Sequence, residues 1–147
     1  MFIVYPVSCV AFDEDAFIGY VMSWIGNSCV KMHHFLLFCR LRDEFEEIAE
    51  KALTTPANTK ELMELKAYIE KVESEIMYDL EKKLLNERSI LEFLIEHTSF
   101  TAADMRSNTD TFMWYDRMSS IFDEHRAIIA EKWTQFEEGL KVCLHIL

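Results

Sequence analysis

Glycine and proline are nearly absent from this chain. Its 147 residues include three glycines, Gly19, Gly26 and Gly139, and two prolines, Pro6 and Pro56. A phosphate-binding loop needs glycines so that successive backbone N–H groups can wrap an anion, and none of the three stands in a G-x-x-x-x-G-K-[ST] frame. A nucleotide site of that type is excluded. G-x-S-x-G is missing too, and with it the nucleophile elbow of the α/β-hydrolases.

Basic charge is also scarce. The formal net charge is −11, and residues 43–96 hold fifteen Asp/Glu against seven Lys/Arg, whereas residues 1–42 carry three of each. Binding to a phosphate backbone depends on Lys and Arg neutralising it, so an acidic field of this size argues against nucleic acid as a partner and against anionic membrane surfaces. Paired thiols are lacking as well. Cys9, Cys29, Cys39 and Cys143 stand far apart with no C-x-x-C spacing, a usage that suits a reducing, cytoplasmic interior better than a disulfide framework.

No long apolar run completes a membrane span. The opening "MFIVYPVSCVAF" has the texture of a secretory h-region, but no positive charge precedes it and "DED" follows at once, so no signal peptide is expected. Ala16 to Val30 is interrupted by Ser23, Gly26, Asn27 and Ser28 and falls short of the roughly 20 residues a spanning helix needs.

What the chain does have is helical periodicity. Half its residues are apolar, enough for one small domain with a modest core. From about Lys31 to Leu53, Phe35, Phe38, Leu41, Phe45, Ile48, Ala49 and Ala52 recur at intervals of three and four, which predicts an amphipathic helix. Thr54-Thr55-Pro56 stops it, because the residue before a proline is pushed out of the α region. Asn58 then offers an N-cap with Glu61 at the third helical position, Thr59 being the competing cap.

The next helix runs through Leu62, Leu65, Ile69, Val72 and Ile76 in heptad spacing and continues through Leu80, Leu84, Leu91 and Leu94 after a change of phase that resembles an inserted four-residue step. Residues 97–110 read as a connection, with Thr101, Ser107 and Asn108 as caps. A last helix places Phe112, Tyr115, Met118, Phe122, Ile129, Trp133, Phe136 and Leu140 on one face. The expectation is an all-α fold: a long antiparallel hairpin or bundle, with a shorter helix before it and an apolar N-terminal segment of unassigned structure. By texture the chain divides into residues 1–41 and residues 42–147. In this scheme residues 59–96 and 107–141 form the folding unit, with Leu65, Ile69 and Phe136 facing inward.

The side chains that carry chemistry do not converge in the sequence. His33 and His34 are adjacent and diverge by about 100° on a helix, so they do not chelate one ion together, and no H-E-x-x-H completes a metal set. His125 lies on the apolar seam, where a neutral histidine with one polar partner is the simple reading. Glu46-Glu47, Asp123-Glu124 and Glu137-Glu138 are neighbours that do not face one another on a helix, so solvated faces outweigh acid–base pairs. Trp114 alone of the last helix's aromatics lies off the common face, a place for either docking or packing. No catalytic, cofactor or metal residue is assigned.

Three runs go beyond periodicity. "DEFEEIAEKALTTPANTKELMELKAYIEKVE", "FLIEHTSF" and "NTDTFMWYDRMSSIFDEHRAIIAEKWTQFEEGLK" together resemble the N-terminal tail region of axonemal dynein heavy chains ahead of the linker, most closely in the inner-arm, single-headed subgroup. The resemblance covers about residues 42 to 141. Such heavy chains join an assembly tail to a linker, an ATP-hydrolysing AAA+ ring and a microtubule-binding stalk. The resemblance therefore implies a non-catalytic segment of a microtubule motor of cilia and flagella, needing no cofactor. Its implied partners are the remainder of a heavy chain, dynein intermediate or light chains, and axonemal docking proteins. The residues it singles out for packing or interaction are Leu53, Pro56, Leu62, Leu65, Tyr68, Ile69, Trp114, Phe136 and Leu140. Residues 1–41 do not align to the family and "KVCLHIL" departs from it, which suggests a fragment, truncated isoform or gene-model product. The alternative is a free-standing helical adaptor whose apolar groove binds a partner helix.

Overall fold

The computed structural model describes residues 27–146, and every regular element in that range is helical. Helix α1 spans Asn27–Ala52, α2 spans Thr59–Lys71, a π-helical turn occupies Val72–Ile76, α3 spans Met77–His97 and α4 spans Ala102–Ile146. The expected apolar segment before residue 27 lies outside the described residues, and the change of texture at residue 41 falls inside the unbroken α1.

Each boundary has a local cause. After Ala52 the chain leaves the helix, and Pro56 is buried in the corner that follows. Asn58 is the N-cap of α2: its side-chain oxygen accepts from the Glu61 N–H at 2.9 Å. Glu61 reaches back, one carboxylate oxygen accepting from the Ala57 N–H at 2.8 Å and the other from the Asn58 amide at 2.7 Å. Otherwise orphaned N–H groups are thus satisfied at both ends of one short motif.

The α3–α4 connection is shorter than the sequence pattern implies. Thr101 caps α4, accepting from the Asp104 N–H at 3.1 Å while Asp104 accepts from the Thr101 N–H at 2.9 Å. Ser107 and Asn108, the other two expected caps, lie inside the helix. With its start moved back to Ala102, α4 has 45 residues.

The phase change in the middle helix also has a different origin from the one expected. Leu80, Leu84, Leu91 and Leu94 are displaced by one position from where a heptad continued from Ile76 would put them. The π turn absorbs that single extra residue, with the Met77 N–H bonding to the Val72 carbonyl five residues back. Ser74 directs its hydroxyl to the Glu70 carbonyl at 2.8 Å, drawing on a carbonyl just where the ladder widens. The seam therefore keeps one face to the core on both sides of the turn: Leu62, Ile69 and Val72 before it, Leu80, Leu84, Leu91 and Leu94 after it, are all buried.

Long-range contacts give the packing directions. Lys31 meets Asp104, Phe38 stacks edge-on with Phe112, and His125 meets Ala52, so α1 and α4 run parallel. His34 meets Glu87 and Glu44 meets Lys83, so α1 and α3 run antiparallel. Arg126 bonds Glu73, which closes the antiparallel hairpin at the π turn.

The core joins Phe38, Leu41, Phe45 and Ile48 of α1 to Val72, Leu80 and Leu84 and to Met118 and Phe122 of α4. The all-α hairpin with a preceding helix is the observed arrangement. The hairpin is present, but α1 makes the most extensive packing on α4, while α3 and α4 scarcely touch. The helix that precedes the hairpin is its central element, packed on both α3 and α4. Its Phe38 and Phe45 are the largest of the fully buried side chains.

Candidate functional site

Polar groups are expensive to bury unless paired, so those inside the bundle are the first place to look for function. Among the described residues five are buried: His34, Glu87, Asn108, Thr111 and His125. His34 Nδ1 lies 3.0 Å from Glu87 Oε2, and its ring packs 4.4 Å from that of Phe38. An Nδ1–H donating to the carboxylate leaves Nε2 as a lone pair, and that atom is buried without a hydrogen-bond partner. The Thr111 hydroxyl reaches the Ser107 carbonyl of its own helix at 3.2 Å and lies 3.5 Å from the Phe38 carbonyl. His125 Nδ1 sits 2.9 Å from the Ala52 carbonyl, so one imidazole closes the exposed end of α1's hydrogen-bond ladder.

Among the described residues no three His, Cys, Asp or Glu side chains are grouped to hold a metal ion. His33 is exposed and points away from the buried His34. The three carboxylate pairs also lie on solvated faces, with Glu46 partly covered and the other five side chains exposed. Cys29, Cys39 and Cys143 are unpaired thiols. No described helix is long and apolar enough to cross a membrane. Three of these contacts bridge α1 to its neighbours: His34 to Glu87 of α3, and Thr111 and His125 of α4 to the Phe38 and Ala52 carbonyls.

Two open grooves are the other candidates. One, of about 610 Å³, lies between α2 and the distal half of α4, walled by Ile69, Glu73, Arg126, Ile129, Ala130 and Trp133. Trp133 is 52% exposed there. The second, of about 470 Å³, lies between α3 and α4.

The packing residues singled out from the sequence divide into three groups. Pro56, Leu62 and Ile69 are buried. Leu65, Tyr68, Trp114 and Phe136 are half-buried; the Lys51 ammonium lies 4.6 Å over the Tyr68 ring, and the Arg117 guanidinium lies 5.5 Å over Trp114. Burial and the nearby Glu47 carboxylate raise the Tyr68 phenol above its usual pKa. Leu53 and Leu140 face solvent, and Leu140 is 63% exposed because every residue from Glu137 to Ile146 extends past the bundle. Glu87 escaped the sequence reading, although a signal was there. It occupies the missing step between Leu84 and Leu91 on an otherwise apolar heptad seam.

Comparison with known proteins adds what geometry does not. Over 86 residues, 58% of this chain, the sequence is 30% identical to human dynein axonemal heavy chain 12. It is 29% identical to the rat protein of that name and 27% to the mouse protein over the same length. The chain is thus similar to a segment of axonemal dynein heavy chains, and it spans about 3% of the length of these relatives. No protein-family model matches it, and no solved structure does.

Proposed function

We propose that this chain is a structural and assembly segment of an axonemal dynein heavy chain, drawn from the tail ahead of the linker, and takes no part in ATP hydrolysis itself. The observation that carries the reading is the similarity to heavy chain 12 in three mammals. The physical form supports it: a rod-like bundle whose buried polar groups bridge its helices. In this reading its partners are the rest of a heavy chain, intermediate or light chains, or axonemal docking proteins, and it works in the cytoplasm and the axoneme of a cilium or flagellum. The test is fractionation of ciliated cells expressing the epitope-tagged chain. Retention on demembranated axonemes and release by high salt together with dynein heavy chains is the expected result. Complete recovery in the soluble cell-body fraction, with no dynein chain co-purifying, would sink the proposal.

One observation favours a second reading, a free-standing adaptor that binds a partner helix. It is the groove beside Trp133, which leads onto the apolar positions Phe136, Leu140 and Leu144 of the protruding end of α4. These recur at helical intervals suited to a knobs-into-holes seam. An adaptor would remain a soluble, heavy-chain-free species in the same fractionation.

A further inference from the structure

α1 and α4 meet at one constant offset. The Lys31 ammonium bonds Asp104 at 2.8 Å, the Thr111 hydroxyl lies 3.5 Å from the Phe38 carbonyl, and His125 Nδ1 lies 2.9 Å from the Ala52 carbonyl, with the two partners 73 residues apart in every case. Residues 31, 38 and 52 stand whole heptads apart, as do residues 104, 111 and 125, so the two parallel helices keep one seam along their whole contact.

The apolar part of that seam repeats itself. "FCRL", residues 38–41, and "FEEI", residues 45–48, each set a phenylalanine and an aliphatic residue on the core face, and Phe38, Leu41, Phe45 and Ile48 are all buried. Sliding α1 by one heptad, about 10 Å, puts phenylalanine where phenylalanine was and exchanges leucine with isoleucine, swaps of nearly equal volume that cores tolerate. Ala52 is the exception in size, because the same slide exchanges it with Phe45. The two central layers therefore do not distinguish one alignment from the next.

The polar contacts do distinguish them. Slid toward the end of α4, Lys31 would come level with Thr111, which is 1% exposed, and His125 would meet the middle of α1, where carbonyls are already bonded within the helix. Slid the other way, Phe38 would come level with Asp104, and α1 would end a heptad short of His125. Either slide also separates His34 from Glu87, now 3.0 Å apart. Burying an unpaired charge or polar group costs more than exchanging two aliphatic side chains. We propose that Lys31–Asp104, His34–Glu87 and the bonds of Thr111 and His125 to α1 carbonyls act together as a register code, selecting the axial position of α1 from alternatives one heptad apart.

Double electron–electron resonance on the full-length chain tests this. Nitroxides are attached through p-acetylphenylalanine at Arg40 and Glu131, both exposed, so the native thiols take no part in labelling. Arg40 is level with Met113, which places the labelled positions about 27 Å apart along the bundle, and a slide of one heptad changes that component to about 17 or 37 Å. Wild type should give one distance. Lys31→Leu with His125→Leu, and separately His34→Leu with Glu87→Leu, should each add a minor displaced population, and all four changes together a major one. Phe45→Ala, which loosens the core but keeps every polar contact, should hold the single distance. Far-UV circular dichroism shows which variants fold, and if the fourfold variant does not, the two double variants decide by the same criterion. The wild-type distance alone in every folded variant would overturn the proposal and leave register to the small size of Ala52. So would a displaced population in wild type, or one in Phe45→Ala as large as in the polar variants.

Discussion

His34 of α1 and Glu87 of α3 form a pair inside the bundle, 3.0 Å apart and almost sealed from water. Each is the other's reason to be there, since neither polar group is tolerated alone in an apolar setting. Leaving one buried partner unsatisfied typically costs about 1 to 3 kcal/mol, and more for a carboxylate, whereas replacing both with apolar residues of similar shape is often neutral or stabilising. Glu87→Leu and His34→Leu should therefore each lower the urea midpoint strongly. The double variant should recover most of the loss, and Glu87→Gln, which keeps an acceptor for Nδ1–H, should lose less than Glu87→Leu. A double variant no better than the sum of the singles would show that the two residues act separately.

Asp104 gives a pH signature. The Lys31 ammonium, then the Thr101 backbone N–H and hydroxyl, hold its carboxyl down to about 2. An unfolded aspartate titrates near 4, so the folded state binds the proton less readily. The stabilisation is fully present above about pH 4 and is lost as the pH falls through about 2. Asp104→Asn should lower the melting temperature at pH 7, and its deficit against wild type should shrink steadily between pH 4 and 2. A deficit that stays constant over that window would rule out the carboxylate as its source.

The π turn invites a deletion. Removing Ser74 takes out the one residue that Val72–Ile76 absorbs, so the helix can close to regular α geometry with Leu80, Leu84 and Leu91 still facing inward. Removing Lys82 instead rotates everything beyond it by about 100° and turns Leu84, Leu91 and Leu94 off the core. Thermal unfolding should show the first deletion near wild type and the second severely destabilised. Equal damage from both would mean that the π turn is not a one-residue accommodation.

Truncations should separate by location rather than by residue type. Phe45→Ala removes a fully buried ring that meets Tyr115 at 6.3 Å and should cost about 3 to 5 kcal/mol. Leu140→Ala and Leu144→Ala, both beyond the bundle, should stay within about 0.5 kcal/mol. Urea denaturation followed by circular dichroism measures both. Comparable shifts would place the end of α4 in the folded core.

A chain shortened to residues 57–147 should lose cooperative unfolding. Without α1 it lacks Phe38, Leu41, Phe45 and Ile48, and the α3 and α4 arms have little direct contact to hold them together. A sharp, two-state urea transition in the shortened chain would restore the hairpin as the folding unit.

Local chemistry was readable from the residues alone. Asn58 and Glu61 announce a helix start, Thr54-Thr55-Pro56 announces a stop, and the seam from Leu62 to Leu94 marks the core face, because each depends on neighbours within one or two turns. Three things depended on distant partners and were not readable. A one-residue skip and a four-residue step look alike over the short window around Ile76, and the π turn decides between them. Periodicity marks Trp133, Phe136 and Leu140 as one apolar face but carries no information on whether anything covers it. Nor does it say which helix stands in the middle, a place taken by α1. Glu87 is the instructive case for the site, being visible as a gap in a heptad while its partner His34 lay 53 residues away.

The early stop of α1 has a mechanical consequence. Among the described residues three helices lie abreast as far as Ala52 and two beyond it, and from Glu137 onward α4 continues without a described neighbour for ten residues. Bending stiffness falls at each step, since a lone helix resists flexure far less than helices bonded side by side. A sideways force on Ile146 would be taken up first in those last turns, then beside the α2 groove, and least where Phe38 and Phe45 lock α1 in place. The taper makes the molecule a graded spring, compliant at one end and rigid at the other.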